Sequence, residues 1–327
     1  MNILITGGAG FIGTNTAFYF GKTKNNDITI IDNLSRIGTD KNLLFLKKNI
    51  TSSFRFINTN VQNIESYLSA IKNADVIIHL AGQTAVTTSL LNPKVDFSSN
   101  IEGGFALLEA ARINNPKAII LYASTNKVYG NLNLHVRKAH PNGVSENERL
   151  EFISPYGCSK GTIDQYMQDY YRSFGIRTVV FRQSCVYGPH QMGVEDQGWV
   201  AHFSNQILHN KSITLFGDGN QVRDLLYVDD LIKAYKCAIE KMHIVSGQVF
   251  NIGGGKKNAY SLLQVIALLK KKTGSIPSLN YLAERLGDQK YFVSDNSKAK
   301  RLLNWQPTTS FKKGITSLIS WQQKNLL

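Results

Sequence analysis

The feature that most constrains the fold is a run of three glycines near the start of the chain. Gly7, Gly10 and Gly13 follow a short apolar stretch ending at Thr6, with the spacing G-x-x-G-x-x-G. Glycine is required where a backbone turns tightly, approaches a pyrophosphate, or lets a helix pack closely on a strand. The helix that follows would offer free N–H groups to a phosphate. This turn predicts a dinucleotide-binding unit of the Rossmann type.

Asp32 indicates which dinucleotide binds. It ends the second predicted strand, at 28–31. A carboxylate at this position accepts hydrogen bonds from the adenosine ribose and repels a 2′-phosphate, which favours NAD over NADP. Arg36 argues the other way, because an arginine can neutralise a 2′-phosphate. Because Asp32 repels a 2′-phosphate, NAD is the expected cofactor despite Arg36.

Apolar strands alternate with amphipathic helical stretches in the first half of the chain. Strands are predicted at 3–6, 28–31, 54–57, 76–80, 118–122 and 178–181, and helices at 100–113 and 159–174. This alternation predicts an α/β fold, a doubly wound parallel sheet with helices on both faces. We expect residues 1–182 to form the NAD-binding domain, with 229–251 returning to it. Residues 183–228 and 252–327 then form a smaller C-terminal substrate-binding lobe.

The charge balance excludes some classes of partner. Lys plus Arg is 37 and Asp plus Glu is 23, a formal net charge of +14. The longest Lys/Arg run is Lys270 to Lys272, without interleaved aromatics, so we expect an anionic small molecule and no nucleic acid. No apolar run reaches the roughly 18 residues of a membrane span, and no secretory leader precedes the first strand, so no membrane contact and a cytoplasmic location are expected.

The spacing of histidines and cysteines argues against metals and disulfides. The seven histidines, among them His135 and His140, show no HExxH pattern and no paired cysteines. We therefore expect no metal site. The three cysteines include no CxxC pair, which indicates a reducing compartment.

Three side chains form a candidate catalytic group. Tyr156 and Lys160 are four residues apart and share one face of a helix. A phenol with a pKa of about 10 is a poor base, but a nearby ammonium and the positive nicotinamide ring favour the phenolate. Thr125 follows another predicted strand, at the sheet edge where ligands bind in open parallel sheets. By itself, the Tyr–Lys spacing is equally typical of two side chains on an exposed helix face. The presence of Thr125 at the sheet edge makes oxidoreduction without a metal the better interpretation.

These motifs together resemble the extended short-chain dehydrogenases/reductases, and within them the NAD-dependent nucleotide-sugar epimerase/dehydratase family. The resemblance covers essentially the whole chain and is carried by segments 7–13, 79–82, 124–130, 156–160, 182–189, 217–224, 251–254 and 285–288. The likeness is greatest to the CDP-tyvelose (CDP-paratose) 2-epimerases, in segments 81–83, 87–89, 124–130, 154–161 and 196–200.

The resemblance implies a role for each matching residue. Tyr156 would be the general base and acid, Lys160 would hold the nicotinamide ribose, and Thr125 would orient the sugar hydroxyl. Besides Tyr156 and Lys160, the implied NAD contacts are Gly7, Gly10, Phe11, Ile12, Gly13, Asp32, Asn33, Ser35, Arg36, Asn60, Val61, Leu80, Ala81, Gly82 and Asn100. The implied substrate contacts are Gln83, Thr87, Thr125, Asn126, Cys185, Gln197, Gly198, Arg223, Arg285 and Asp288.

Some of these assignments have alternatives. Asn100 is equally interpreted as a helix cap, and Arg223 and Arg285 as members of surface ion pairs. The family has Asp where this chain has Asn60, although an amide oxygen still accepts from the adenine amino group. It often has Asn where this chain has Cys185, which suggests a different seat for the sugar nucleotide.

The pair after Thr125 indicates the type of reaction. Sugar dehydratases of the family carry two acids there, whereas this chain has Asn126 and Lys127. The expected activity is therefore epimerisation, specifically at C2 of a CDP-hexose or CDP-dideoxyhexose, of the CDP-paratose to CDP-tyvelose type found in lipopolysaccharide O-antigen biosynthesis. The alternatives are a UDP-sugar 4-epimerase and a non-catalytic NAD-binding regulatory protein. The resemblance also implies a homodimer or higher homo-oligomer.

Overall fold

Strands and helices alternate as expected in the computed structural model, which describes residues 1–132 and 141–326. The strands are β1 (Asn2–Thr6), β2 (Asp27–Asp32), β3 (Ser53–Asn58), β4 (Val76–His79), β5 (Ile119–Thr125), β6 (Arg177–Gln183), β7 (Cys185–Tyr187), β8 (Ile213–Phe216), β9 (Val222–Tyr227), β10 (Gln248–Ile252), β11 (Ala259–Ser261), β12 (Leu279–Leu282) and β13 (Tyr291–Phe292). Seven of them form one sheet in the order β10-β6-β5-β4-β1-β2-β3. Every neighbouring pair in this sheet is parallel, so the predicted fold class is confirmed.

Helices cover both faces of this sheet. They are α1 (Phe11–Gly21), α2 (Thr39–Asn49), α3 (Leu68–Asn73), α4 (Val86–Leu91), α5 (Pro93–Phe97), α6 (Gly103–Asn114), α7 (Ser154–Phe174), α8 (Trp199–Leu208), α9 (Val228–Glu240), α10 (Met242–Val245), α11 (Leu262–Thr273), α12 (Ser297–Leu303) and α13 (Phe311–Asn325). Helices α1, α2, α9 and α12 enclose one apolar core and α3, α6 and α7 enclose the other. Burial of both faces explains why the strands are almost continuous Ile, Val and Leu.

A second, smaller core lies beside the sheet. Strands β7, β9, β11 and β13 form a mixed sheet, and β8 pairs with β12. Helices α8, α11 and α13 pack around these strands. The chain returns to the main sheet at β10, which pairs with β6, and α12 packs against the main-sheet core. We propose that the part built on the main sheet binds NAD and that the smaller part binds the substrate.

Two helices differ from their predicted limits near the candidate site. Helix α7 begins at Ser154, not at 159, and carries Pro155 in its first turn, where the missing N–H costs nothing. Tyr156 therefore lies on the first turn of α7. The predicted helix 100–113 begins as α6 only at Gly103, because Ser98–Glu102 form a π-helical turn. Such turns shift the direction of side chains and are frequent at functional sites.

His79 makes stability depend on pH. Its ring is buried, Nδ1 lies 2.7 Å from the Thr6 hydroxyl, and burial together with the charge of Lys160 lowers the pKa of His79 to about 3. A histidine whose folded pKa is depressed stabilises the fold above its unfolded pKa of about 6.5, and this stability is lost as the pH falls.

We therefore expect the free energy of unfolding to decrease by about 2 kcal/mol on account of His79 between about pH 7 and about pH 5. The His79→Asn variant removes this titration and keeps a polar atom near Thr6. Urea unfolding at both pH values measures the difference. An equal decrease in the variant and the original protein would contradict the assignment to His79.

Candidate active site

One cleft of about 610 Å³ lies at the carboxyl edge of the main sheet, facing the smaller lobe. It is lined by every predicted site residue except Asn100, which is buried behind its wall. The carboxyl ends of parallel strands and the loops after them meet at this edge, where open α/β sheets bind their ligands. The tertiary structure thus brings together residues that are as far apart in the sequence as Gly7 and Asp288.

The glycine turn fits a pyrophosphate. Gly7 has φ of +68°, and a Cβ there would lie 2.8 Å from the backbone nitrogen of Ala81. A Cβ on Gly13 would overlap the carbonyl oxygen of Gly7, so helix and strand pack at a distance that only glycine allows. Gly10 is the N-cap of α1 and no side chain caps that helix. Its first N–H groups are available to phosphate oxygens.

Asp32 lies at the end of β2, beside this turn. Its carboxylate accepts hydrogen bonds from the backbone N–H groups of Ala9 (3.0 Å) and Leu34 (2.9 Å). Burial raises the pKa of Asp32, while these N–H groups oppose the shift. Arg36 extends to Thr84, whose hydroxyl is 2.9 Å from its guanidinium. The guanidinium is thus bound to the loop after β4, where it faces the interior of the cleft.

Asn60 lines the cleft at the position where the family usually has Asp. Asn60 follows β3, and its side-chain oxygen accepts a hydrogen bond from the Asn33 amide at 2.7 Å. Val61 is buried and contacts the start of α6 at Gly103. The amide oxygen of Asn60 thus already accepts a hydrogen bond within the protein.

The three candidate catalytic residues lie together. Thr125 at the end of β5 and Tyr156 on the first turn of α7 both line the cleft, and the Thr125 hydroxyl donates to the Asn126 side-chain oxygen at 3.3 Å. Burial raises the pKa of Tyr156 to about 12; the Thr125 hydroxyl and the charge of Arg36 oppose this shift, and the charge of Asp96 adds to it. In the protein alone, the phenol is therefore a weaker acid than a free tyrosine.

Lys160 lies one turn further along α7 and is buried. Its ammonium lies 4.4 Å from the centre of the Tyr122 ring. Burial lowers the pKa of Lys160 to about 7, and the carboxylates of Asp96 and Asp164 oppose the shift. Burial thus disfavours the charged form of Lys160, and the carboxylates around it favour that form.

A buried polar network holds β5 against α7. Asp164, one turn after Lys160, pairs with both sides of the Arg182 guanidinium at 2.9 and 3.0 Å. Ser124, next to Thr125, donates to the same carboxylate at 2.7 Å, and the Tyr129 hydroxyl lies 3.1 Å from Arg182. A bidentate pair with these additional bonds satisfies a charge that is costly to bury alone. The sequence analysis did not identify Asp164.

Asn100 lies under the cleft wall. Its amide nitrogen donates to Ser159 Oγ at 2.9 Å, to the Gln83 carbonyl at 3.2 Å and to Asp96 at 3.2 Å. The N-cap of α6 is Glu102, so Asn100 is not the helix cap that one alternative proposed. Gly82 approaches its side-chain oxygen so closely that a Cβ would overlap it. Asn100 thus holds the loop after β4 against α7.

Cations line the opposite side of the cleft. Asp288 accepts from Arg223 at 2.7 Å and from Lys127 at 3.2 Å. Arg285 contacts Asp196 at 3.3 Å and lies 3.5 Å from the centre of the Phe216 ring. Both arginines form ion pairs, as the alternative stated: the Arg223 side chain is buried in the cleft, whereas Arg285 pairs with the exposed carboxylates of Glu195 and Asp196. Lys127 was missed as a contact residue, because only tertiary packing brings it to the segment 287–288.

The remaining predicted substrate contacts differ in whether their polar atoms are already hydrogen-bonded within the protein. Gln83 bonds the backbone of Ala85 with both ends of its amide, at 2.6 and 2.8 Å. The Gln197 oxygen accepts from Thr84 at 2.7 Å. Gly198 caps α8 and Cys185 begins β7, both at the cleft wall. The Thr87 hydroxyl is buried and makes no hydrogen bond to the described residues.

Neither metal ligands nor a membrane span are found in the described ranges 1–132 and 141–326. No group of three His, Cys, Asp or Glu side chains lies close enough there to hold a metal ion. No helix in these ranges is long and apolar enough to cross a bilayer. His135 and His140 lie outside the described residues.

The cleft and its glycine turn agree with comparisons to known proteins. The model of the NAD dependent epimerase/dehydratase family matches residues 3–253. The chain belongs to this family. It is 40% identical to CDP-paratose 2-epimerase of Salmonella typhi, over 98% of this chain and 99% of that protein. The family is NAD-dependent, and the residues described above fit that cofactor.

Two solved structures of the NAD-dependent epimerase/dehydratase type share the whole fold. UDP-glucuronic acid 4-epimerase of Bacillus cereus, in complex with UDP-glucuronic acid and NAD, has a TM-score of 0.89 and 32% identity over 99% of each chain. UDP-glucose 4-epimerase of Thermotoga maritima, with UDP-glucose, has a TM-score of 0.86 and 31% identity over 100% of each chain. The predicted family, cofactor and class of enzyme are confirmed: the chain is a nucleotide-sugar epimerase, not a non-catalytic NAD-binding protein.

Proposed function

We propose that this epimerase inverts C2 of a CDP-linked hexose or dideoxyhexose, in a reaction of the CDP-paratose to CDP-tyvelose type. The observation that carries the proposal is full-length similarity to a CDP-paratose 2-epimerase, at 40% identity, compared with 31% and 32% for the two UDP-sugar 4-epimerase structures. The proposal extends to the corresponding role in lipopolysaccharide O-antigen biosynthesis and to a cytoplasmic location.

The residues beside Thr125 support epimerisation over dehydration. Asn126 donates from its amide to Gln289 at 3.1 Å, and Lys127 bonds the Gly287 carbonyl at 2.9 Å. Neither side chain can serve as the carboxylic acid that elimination of water requires. Asp288 does not replace it: burial raises its pKa, but the charges of Arg223 and Lys127 outweigh burial and lower it. The carboxylate thus stays ionised at neutral pH.

The catalytic group supplies what reversible oxidation of a carbinol needs. Tyr156 accepts the proton of the C2 hydroxyl and later returns it, while Thr125 orients that hydroxyl. Lys160 holds the nicotinamide ribose. NAD, when bound, supplies the acceptor for hydride and the donor for its return. Turning of the keto sugar within the cleft presents its other face before reduction.

The cations on the lobe side fit a sugar diphosphate. Lys127 and Arg223 share a single carboxylate, that of Asp288, so these three side chains carry a surplus positive charge. Guanidinium groups bind phosphate oxygens through paired hydrogen bonds. We propose that Arg223 and Arg285 bind the pyrophosphate of the nucleotide sugar and that Asp288 accepts from its ribose.

The alternative is a UDP-sugar 4-epimerase on the same scaffold. Both solved structures named above are 4-epimerases with UDP-sugars, and they cover the whole chain. The catalytic group oxidises whichever carbinol lies beside Tyr156 and Thr125. The lobe residues at 196–199 therefore decide the carbon.

A homodimer is also part of the proposal. Helices α6 and α7 expose Phe105, Tyr166 and Phe174 to 39%, 40% and 52%. Exposed aromatic side chains on adjacent helices are typical of surfaces that pack against another protein.

The experiment that tests the proposed reaction follows a label at C2. The purified protein is first assayed with CDP-, UDP- and GDP-hexoses, and the products are identified by NMR. The substrate that turns over is then prepared with deuterium at C2 and converted in ordinary water. We expect a CDP-sugar to be inverted at C2 with its deuterium retained, because the hydride leaves and returns within one closed cleft. Loss of the label to solvent would indicate enolisation, and inversion at C4 would establish the alternative.

A further inference from the structure

Asp96 is a buried carboxylate that the proposed reaction does not use. It lies on the short helix α5, is 0% exposed and does not line the cleft. Its Oδ1 accepts a hydrogen bond from the Asn100 amide at 3.2 Å, while its Oδ2 has no hydrogen-bond partner. Within residues 1–132 and 141–326 it forms no ion pair. A buried carboxylate with half of its capacity unused is costly unless a nearby positive charge compensates it.

Hydrogen bonds connect Asp96 to the catalytic turn. The Asn100 amide that donates to Asp96 also donates to Ser159 Oγ at 2.9 Å. Ser159 directly precedes Lys160, and its hydroxyl donates to the Tyr156 carbonyl at 3.2 Å. Asp96 is thus connected by hydrogen bonds to the turn of α7 that carries Tyr156 and Lys160.

Lys160 is the buried cation next to these hydrogen-bonded residues, because it directly follows Ser159 on α7. Lys160 forms no ion pair in the described part of the chain, and two carboxylates, Asp96 and Asp164, act on its ammonium. Asp164 is already neutralised by its bidentate pair with Arg182. The uncompensated negative charge beside Lys160 is therefore that of Asp96.

The other titratable groups near Lys160 are uncharged at neutral pH. Burial lowers the pKa of His79 to about 3 and raises the pKa of Tyr122 well above its usual value, so both rings are neutral. In the protein without NAD and substrate, Tyr156 is neutral as well, because burial raises its pKa to about 12. The charge of Arg36, which is bound to Thr84 in the loop after β4, also acts on Tyr156.

We propose that Asp96 is a positioning residue that keeps Lys160 protonated and thereby sets the pH range of catalysis. The proposal rests on oxidoreductive epimerisation in this cleft, but not on which carbon is inverted. The negative charge of Asp96 favours the protonated forms of both Lys160 and Tyr156. Without it, Tyr156 loses its proton at a lower pH, and Lys160 becomes neutral at a lower pH.

The test is the Asp96→Asn variant, which keeps the shape and removes the charge. The dependence of kcat/KM on pH is measured with the nucleotide sugar that the original protein converts best. We expect both limbs of the profile to move to lower pH by about one unit. On the alkaline limb this corresponds to about a 10-fold loss of activity at a fixed pH. A purely structural role would reduce kcat or stability and leave both limbs in place.

A matched control and a second measurement complete the experiment. Asp229→Asn removes an exposed carboxylate from the first turn of α9, outside the cleft, and should leave the profile unchanged. The pKa of Lys160 is also measured by NMR of protein labelled with ¹³C at the lysine ε-carbon, with Lys160→Arg to assign the signal. We expect a lower pKa of Lys160 in Asp96→Asn.

The NMR titration needs no turnover, so it separates failure of this proposal from failure of the proposed function. If Asp96→Asn does not fold, Asp96→Ser removes the same charge with a smaller side chain and is measured instead. An unchanged or raised pKa of Lys160 would overturn the proposal. So would a pH profile that keeps its position or moves to higher pH.

Discussion

Replacing Tyr156 by phenylalanine is expected to reduce kcat by about 10²- to 10⁴-fold, while the fold and NAD binding persist. The substitution removes only a hydroxyl. The Thr125 hydroxyl lowers the pKa of that group, which as the phenolate is the proposed acceptor of the substrate proton. The ring still packs on the first turn of α7, so the structural cost is small.

The measurement combines steady-state kinetics with NAD titration of the purified variant. Tyr166→Phe is the matched control, because it removes a hydroxyl from a 40% exposed tyrosine on the same helix and should leave kcat unchanged. Thr125→Val should also impair catalysis, by removing one hydrogen bond at the reacting oxygen. Near-normal turnover of Tyr156→Phe would contradict the assigned role.

Replacing Arg182 by methionine is expected to lower the free energy of unfolding by about 3–5 kcal/mol. The Arg182 side chain is 4% exposed and bonds Asp164, which is 0% exposed, through Nε and Nη2. Its removal leaves a buried carboxylate without a counter-charge. Because Ser124 bonds the same carboxylate, the loss also loosens β5 beside Thr125.

Urea unfolding measures this loss, and an exposed ion pair provides the control. Lys236 and Glu240 pair at 3.5 Å with side chains 49% and 57% exposed, so Lys236→Met should change the free energy of unfolding by less than about 1 kcal/mol. The double variant Asp164→Leu with Arg182→Met should recover part of the loss, because no charge is left unpaired. A loss below about 1 kcal/mol in Arg182→Met would show that water or another group compensates Asp164.

The main sheet and the cofactor turn could be predicted because their signals are local. Glycine at Gly7 and Gly13 is imposed by contacts within a few residues and by the backbone of one neighbouring strand. The strands could be recognised because burial on both faces requires continuous apolar residues. The combination of Thr125, Tyr156 and Lys160 could be predicted because strand ends and helix faces determine where such side chains lie.

The start of α7 was predicted less well. Pro155 and Gly157 are unfavourable inside a helix, so the sequence favours a start after them. In the structure both belong to the first turn, where Pro is tolerated and where the backbone N–H of Tyr156 bonds Ser89 at 3.1 Å. The π-helical turn at Ser98–Glu102 likewise has no local signature in the sequence.

The sequence by itself determined the doubly wound sheet, the glycine turn and the three candidate catalytic residues, because each depends on periodicity or spacing within one or two elements. Only the tertiary structure decided the charges around those residues. Asp96 acts on Lys160 from a helix 64 residues earlier. Lys127 reaches Asp288 across 161 positions of the chain. Electrostatic interactions depend on distance in space and on burial, and neither is encoded in the spacing of residues along the chain.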